Sequence, residues 1–117
     1  MNIYDVNLKD INKKINRAFK KYNEIALITA NDENVLAVHE QICRFEYEYI
    51  QFELEFEKAN DYSKMIKNLK EKLKNILSGL FKLINKYNGI NFEIYSNLND
   101  MYYEMNEIYK ILKKIDL

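Results

Sequence analysis

The sequence predicts an all-α protein, an antiparallel up-down four-helix bundle, and three observations support this fold class. Apolar residues recur at alternating spacings of three and four through four stretches of similar length, which is the period of helices with one buried face. No proline interrupts these stretches. Short polar segments that contain Asn, Asp or Gly separate them, as expected of helix caps and turns.

The predicted spans are about 7–30, 32–59, 61–88 and 91–116. In each span the residues expected to face the core have the spacing of heptad a and d positions. In the first two helices they are Leu8, Ile11, Ile15, Ala18, Tyr22, Ile25 and Thr29, then Val35, Val38, Ile42, Phe45, Tyr49, Phe52, Phe56 and Ala59. In the last two they are Tyr62, Ile66, Leu69, Leu73, Ile76, Leu80, Leu83 and Tyr87, then Ile94, Leu98, Met101, Met105, Ile108, Leu112 and Ile115.

Residues suited to helix caps fall at the breaks between these spans. Asp32 offers a side-chain acceptor for the start of helix two, and Asn60 with Asp61 does the same for helix three. Gly89 suits the left-handed conformation that ends a helix, and Asn91 suits the start of helix four. Because the connections are short, successive helices are expected to run antiparallel. The alternative is two long helical hairpins that pair only in a dimer.

One part of helix two also has a strand-like pattern. Apolar and acidic residues alternate through 45–49 and again through 52–56. The alternation changes phase at Ile50, and no turn residue lies nearby. The helical period continues through both halves, so we predict a helix for this segment.

Composition places the chain among ordinary folded proteins. Its 117 residues are expected to form one domain, 1–117, with 48% hydrophobic and 31% charged residues. A single cysteine cannot form an internal disulfide, and the first residues lack the pattern of a signal peptide. No apolar run approaches the ~20 residues that span a bilayer. We therefore expect a cytoplasmic protein without membrane insertion.

Charge is segregated along the chain. Residues 1–30 carry six basic and three acidic groups, and residues 62–89 carry seven basic groups and one acidic group. Residues 31–61 carry nine acidic and two basic groups, and residues 90–117 carry five acidic and three basic groups. In an up-down bundle the sign then alternates between neighbouring helices, which predicts complementary charges within the fold. The alternative interpretation is a surface with acidic and basic poles for a charged partner.

Helix two carries a second apolar row, roughly 150° around the helix from its core-facing row. A helix at the corner of a bundle should be polar there, so the row predicts an interface with a second copy or with a different protein. Glutamates flank the row. We predict that the partner-binding residues are Leu36, Cys43, Glu46, Tyr47, Glu48, Ile50, Glu53, Leu54 and Glu55.

Helix four has Tyr95, Tyr102 and Tyr109 at a seven-residue spacing beside its core-facing row. A tyrosine packs its ring while its hydroxyl stays in water. We therefore expect these residues at the edge of a wide core face. The alternative is a tyrosine-rich binding strip.

The chain offers few candidates for chemistry. His39 is the only histidine, and Cys43 lies one turn further along helix two. Two candidate ligands without a third do not make a zinc site, so we expect no metal and instead a surface histidine beside a partly buried thiol. Gly79 and Gly89 stand alone rather than in a phosphate-binding loop, and no nucleophilic triad is recognisable. We expect no enzyme activity and no cofactor, and we expect Gly79 to permit close packing.

Nucleic-acid binding is the main alternative function. Helices one and three carry outward-facing basic residues, and phosphate binding needs clustered cations. Against this, the net charge is zero, lysine outnumbers arginine sixteen to two, and the two helices should lie on a diagonal. The candidate residues are Lys9, Lys13, Arg17, Lys20, Lys64, Lys67, Lys74 and Lys82.

No family motif is present, so the expected function rests on architecture and charge. Abundant Asn, Lys, Ile and Tyr with two arginines indicate AT-rich coding DNA, as in many low-GC bacteria and their phages. Small helical proteins without catalytic sites occur among phage-encoded inhibitors of host defence, bacteriocin immunity proteins and secretion chaperones. We favour an inhibitor or immunity-type protein, because a glutamate-rich face can occupy a site built for nucleic-acid phosphates.

Overall fold

The computed structural model describes residues 2–59 and 61–117, and these residues form helices, turns and no strand. A short 3-10 helix, Ile3–Asp5, precedes the four α-helices. These are α1 (Leu8–Ile25), α2 (Glu33–Glu55), α3 (Ser63–Tyr87) and α4 (Phe92–Lys113). The predicted all-α fold class is confirmed, and the segment with the strand-like pattern is part of α2.

The four helices form a rod with principal-axis extents of 48 × 21 × 20 Å. Helix α4 packs closely on both α1 and α3, α2 packs on α3, and α1 and α2 approach each other less closely. The pair α1 and α3 lies on one diagonal and the pair α2 and α4 on the other, as an up-down bundle requires. The two hairpins therefore pair within one chain and need no dimer to do so.

The core consists of the residues that the spacing of three and four identifies. Every predicted core residue is buried except Leu8, Ala59, Tyr62 and Tyr87, which lie near helix ends and are partly exposed. Each fully buried Val, Leu, Ile, Phe or Met side chain stabilises the fold by roughly 1.5–3 kcal/mol because it is removed from water. Ile3, in the 3-10 helix, is a further core residue that the spacing does not predict.

Asp32 caps α2 and also ties it to the end of α3. Its carboxylate accepts hydrogen bonds from the backbone N–H groups of Asn34 at 3.0 Å and Val35 at 3.3 Å. The same side chain, only 9% exposed, binds Nζ of Lys86 at 2.8 Å and accepts a hydrogen bond from the hydroxyl of Tyr87. Burial alone would raise the pKa of Asp32, but the bonds from Lys86, Tyr87 and the backbone outweigh burial and lower the pKa to about 2.

Of the caps predicted for the other helices, Gly89 and Asn91 are present, whereas the N-cap residue of α3 is Tyr62, whose side chain makes no capping bond. Gly89 has a φ of 78°, the left-handed conformation that favours glycine after a helix. The side chain of Asn91 accepts a hydrogen bond from a backbone N–H in the first turn of α4 at 3.0 Å. Before α3, Asp61 accepts hydrogen bonds from the backbone and hydroxyl of Ser63. Asn60, the other predicted cap, lies outside the described residues.

Two helices end earlier than predicted. Helix α1 ends at Ile25 rather than near residue 30, and α2 ends at Glu55 rather than near residue 59. Beyond Ile25, Thr29 donates both its backbone N–H (3.0 Å) and its hydroxyl (2.7 Å) to the carbonyl oxygen of Ile25. A hydroxyl bonded back to a helical carbonyl competes with regular helix. Thr29 is nevertheless buried, so the core-facing spacing continues past the last helical residue.

Gly79 lies where α3 packs against α2. A Cβ atom built on Gly79 would lie 2.8 Å from Cγ2 of Val38, which is closer than two carbon atoms approach without repulsion. The absence of a side chain at this position therefore allows the two helices to come together. This agrees with the packing role that we predicted for Gly79.

Candidate protein-interaction surface

An exposed apolar row runs along the outer face of α2. We call it the outer strip, and it consists of Leu36, Cys43, Tyr47, Ile50 and Leu54. Tyr47 is 66% exposed and Leu54 is 68% exposed, and the other three are exposed as well. The strip extends over about 27 Å of helix, at 1.5 Å per residue. The apolar row predicted on helix two is therefore at the surface of the folded chain.

The opposite face of α2 is deeply buried. Phe45, Tyr49 and Phe52 are fully buried, and the ring centroid of Tyr49 lies 6.3 Å from that of Phe45 and 6.1 Å from that of Phe52. The Tyr49 hydroxyl donates a hydrogen bond to the carbonyl oxygen of Leu8 at 2.6 Å. Burial, together with the nearby carboxylate of Glu53, raises the pKa of Tyr49 far above its usual value. The inner face thus anchors α2, and the outer strip takes no part in the core.

Two of the four predicted glutamates are engaged by neighbouring helices. Glu48 forms an ion pair with Lys72 of α3 at 3.4 Å. Glu53 accepts a hydrogen bond from Nδ2 of Asn12 in α1 at 2.6 Å. These two carboxylates therefore lie on the sides of α2 that face α3 and α1.

The other two glutamates, Glu46 and Glu55, form no ion pair with any residue that the structure describes. Glu40, which our prediction did not include, lies in line with the outer strip between Leu36 and Cys43 and pairs with Arg44 of the same helix at 2.5 Å. Partial burial raises the pKa of the Cys43 thiol, and the negative charges of Glu46 and Glu40 raise it further. The strip consequently has an acidic border and a thiol that stays protonated at neutral pH.

His39 belongs to the α1–α2 interface rather than to the outer strip. Its ring stacks on Tyr22 with centroids 3.7 Å apart and planes 7° apart, and it meets the ring of Phe19 edge-on at 5.7 Å. The prediction of a surface histidine was wrong, because His39 is half-buried; Cys43 is exposed as a residue, although its thiol is partly buried. Burial lowers the pKa of His39. Sγ of Cys43 lies 3.7 Å from Nε2 of His39, but no group of three metal-ligating side chains occurs among the described residues.

Ion pairs between adjacent helices use part of the segregated charge. Helix α1 pairs with α4 through Arg17 and Glu104 at 3.6 Å and through Lys21 and Asp100 at 3.5 Å. Helix α3 pairs with α2 through Lys72 and Glu48 and, at the N-cap of α2, through Lys86 and Asp32. Each pair at the surface contributes at most about 1 kcal/mol. For these residues the geometry favours complementary charges within the fold over a pole for a partner.

The basic residues of the alternative nucleic-acid interface lie in two separate rows. One row is on α1 and the other on α3, and these helices lie on a diagonal. Arg17 is already paired with Glu104. Because α2 and α4 separate the rows, the cations do not line one groove. The rows are Lys9, Lys13, Arg17 and Lys20 on α1, and Lys64, Lys67, Lys74 and Lys82 on α3.

The tyrosines of α4 lie at the edge of the core. Tyr95, Tyr102 and Tyr109 are partly buried, and the last two pack against the core. Tyr103, one residue after Tyr102, is 60% exposed. The geometry therefore supports a wide core face whose edges are exposed to solvent, rather than a tyrosine-rich binding strip.

A second exposed apolar group lies at one end of the bundle, and our sequence analysis missed it. Leu27 and Ile28 are in the connection between α1 and α2, and Ile90 and Phe92 are at the connection between α3 and α4. All four are more than half exposed. Both connections are at the same end because successive helices run antiparallel. The available signal was that Leu27, Ile28 and Phe92 lie off the core-facing rows of the predicted helices and that Ile90 lies in the break between the last two.

No helix in the described part of the chain combines the length and the hydropathy that crossing a bilayer requires. Comparison with known proteins found no match to a protein family model, to a curated protein or to a solved structure.

Proposed function

We propose that the protein is a non-enzymatic interaction module that binds another protein through the outer strip of α2. The observation that carries this proposal is the exposure of Tyr47 and Leu54 on a helix whose opposite face is fully buried. An exposed apolar row that the core does not need is typical of a protein interface. Covering it gains roughly 25 cal/mol for each Å² of apolar surface removed from water.

The border of the strip indicates the charge of the partner. Glu46 and Glu55 have no counter-ion among the described residues, and the segment 31–61 carries nine acidic groups against two basic ones. A surface with lysine or arginine around an apolar patch is complementary to this border, and such pairing steers association. A second copy would bring like charges together. The charges therefore favour a basic protein over self-association.

The role that follows best from these properties is that of an inhibitor or immunity-type protein, such as a phage-encoded anti-defence protein. Basic surfaces with nearby apolar groups serve many proteins as nucleic-acid sites. Carboxylates held on a folded helix compete for the same cations, and a preformed face keeps the ordering cost of binding low. Binding of this protein and binding of nucleic acid to the partner should then exclude each other.

Capture of the partner on the immobilised protein tests the proposal. The double variant Tyr47→Glu/Leu54→Glu should keep the fold, because both side chains are exposed, and should no longer retain the partner from a lysate of the source cells. Phe81→Glu is the matched control, because Phe81 is 57% exposed but belongs to α3. This control should retain the partner. Mass spectrometry identifies what each variant retains, and circular dichroism checks the fold.

Two further variants sharpen the result. Glu46→Lys/Glu55→Lys should weaken binding of the purified partner at least about tenfold and reduce its salt dependence. Leu27→Glu/Phe92→Glu changes the apolar end of the bundle and should leave binding intact. Loss of the partner with this end variant, and not with the strip variant, would reject the outer strip as the interface.

A further inference from the structure

The outer strip has the spacing of a coiled-coil seam. From Cys43 to Leu54 its residues are separated by four, three and four positions, and Leu36 lies seven positions before Cys43. Glu40 fills the one remaining seam position. A row with this average spacing of 3.5 residues stays in contact with a second helix that winds around the first. A loop or a strand that bound here would gain nothing from such regular spacing.

We propose that the partner contacts the outer strip with a single basic amphipathic helix that packs alongside α2. This inference rests on the proposed function and specifies the secondary-structure element of the partner that binds the outer strip. By the 100° helical period, Glu46 takes a flanking position on one side of the seam, and Arg44, which is paired with Glu40, takes one on the other side. Glu55 lies further round the helix. Flanking positions of a coiled-coil seam hold the charges that select a partner helix. Lysine or arginine on the flank of the incoming helix that meets Glu46 therefore matches this surface.

The shape beside the strip is compatible with the packing of side chains from a second helix. A shallow hollow between α2 and α3 is lined by Cys43 and Tyr47 of the strip and by two ion pairs. These pairs are Glu48 with Lys72 and Glu40 with Arg44. A side chain of the incoming helix enters this hollow, and Tyr47 at its edge packs in turn between side chains of that helix.

The extent of the strip sets the length of the incoming helix. The continuous part, from Cys43 to Leu54, spans about 17 Å, which corresponds to about twelve helical residues, and the full strip corresponds to about eighteen. Glu40 interrupts the apolar seam in its first half, so a basic residue is expected opposite it. The strongest apolar contact should fall on the Cys43–Leu54 half.

Three synthetic peptides of eighteen residues test the inference on the folded 117-residue chain. The first has leucine or isoleucine at heptad a and d positions and lysine at e and g, where like charges prevent it from pairing with itself. The second has glutamate in place of lysine. The third has the composition of the first, but its apolar residues alternate with polar ones in a strand pattern. Fluorescence anisotropy measures binding of each labelled peptide.

The first peptide should bind, and the other two should bind at least about tenfold more weakly. Circular dichroism should show that the complex is more helical than the sum of its parts. Tyr47→Glu/Leu54→Glu should lose this binding, whereas Phe81→Glu should keep it. Equal binding of the first and third peptides, or no binding of the first, would overturn the helix inference. If the strip variant still loses the natural partner in the capture experiment, the proposed function stands even though the helix inference fails.

Discussion

Helices α2 and α4 both carry more apolar side chains than a corner helix needs, yet the surplus has a different fate on each. Tyr102 and Tyr109 of α4 are partly buried against the core, whereas Tyr47 and Leu54 of α2 are mostly exposed. Measured from the mean direction of the core row, these tyrosines of α4 lie roughly 80° away, whereas the outer strip of α2 lies roughly 150° away. The angle from the core, rather than the number of apolar residues, decides whether a surplus becomes packing or surface.

The largest expected effect separates the two faces of α2. Phe45→Ala removes a fully buried ring and leaves a cavity, so the free energy of unfolding should fall by about 3–5 kcal/mol. Tyr47→Ala removes an exposed ring and should change it by less than about 0.5 kcal/mol. Urea denaturation monitored by circular dichroism measures both. A loss of similar size in the two variants would show that the outer strip contributes to the core.

The second largest expected effect compares the N-terminal caps of α2 and α4. Asp32 serves α2 and also binds Lys86 and Tyr87, whereas the side chain of Asn91 caps α4 alone. Asp32→Ala should therefore lower the free energy of unfolding by about 2–3 kcal/mol, because a charged hydrogen bond is lost along with the cap. Asn91→Ala should cost about 1 kcal/mol. Equal losses would mean that the bonds to α3 contribute nothing.

The contribution of Asp32 has a defined dependence on pH. Its pKa is about 2 in the folded protein, against 3.8 for the free side chain. The folded state therefore binds the proton less readily than the unfolded state, and the stabilisation is present above pH 3.8 and lost as pH falls toward 2. Asp32→Asn should flatten this part of the stability profile. Thermal unfolding of both proteins between pH 2 and 5 measures the difference.

The core and the outer strip were predictable because both follow from the angle between side chains on one helix. Val38 and Phe45 repeat with the helical period, and Tyr47 falls on the other side by the same rule. The engagement of Glu48 was harder to predict, since it depends on where α3 places Lys72. Charge counts indicate which helices are complementary, but they do not indicate which carboxylate meets a cation and which remains at the surface.

The burial of His39 could not be predicted from α2 alone. Its neighbours Tyr22 and Phe19 belong to α1, and the ring fits because α1 and α2 approach each other less closely than the other adjacent helices. That separation results from the packing of all four helices and leaves no periodic signal in the sequence. The apolar end at Leu27 and Phe92 was instead predictable by the same rule as the core and the outer strip, because both residues fall inside predicted helices and lie two positions, or about 160°, from the core residues Ile25 and Ile94.

A smaller expected effect separates two adjacent tyrosines of α4. Tyr102→Ala removes a ring that is partly buried against the core and should lower the free energy of unfolding by about 1–2 kcal/mol. Tyr103→Ala removes a ring that is mostly solvent-exposed and should change it by less than about 0.5 kcal/mol. Urea denaturation again provides the measurement. If the two variants were equally stable, the α4 tyrosines would be surface residues like the outer strip of α2.

The smallest expected effect concerns His39, which is half-buried on α2 between the core and the outer strip. Burial lowers its pKa below 6.5, so the unfolded chain binds the proton more readily than the folded one. The stabilisation that depends on a neutral His39 should consequently be fully present above pH 6.5 and should decline as pH falls below that value. His39→Phe keeps a ring stacked on Tyr22 but cannot titrate. The melting temperature of the native protein should fall more than that of this variant between pH 7 and 5. If the melting temperatures of the two proteins fell equally, protonation of His39 would not destabilise the fold. That result is expected only if the α1–α2 interface is open to water.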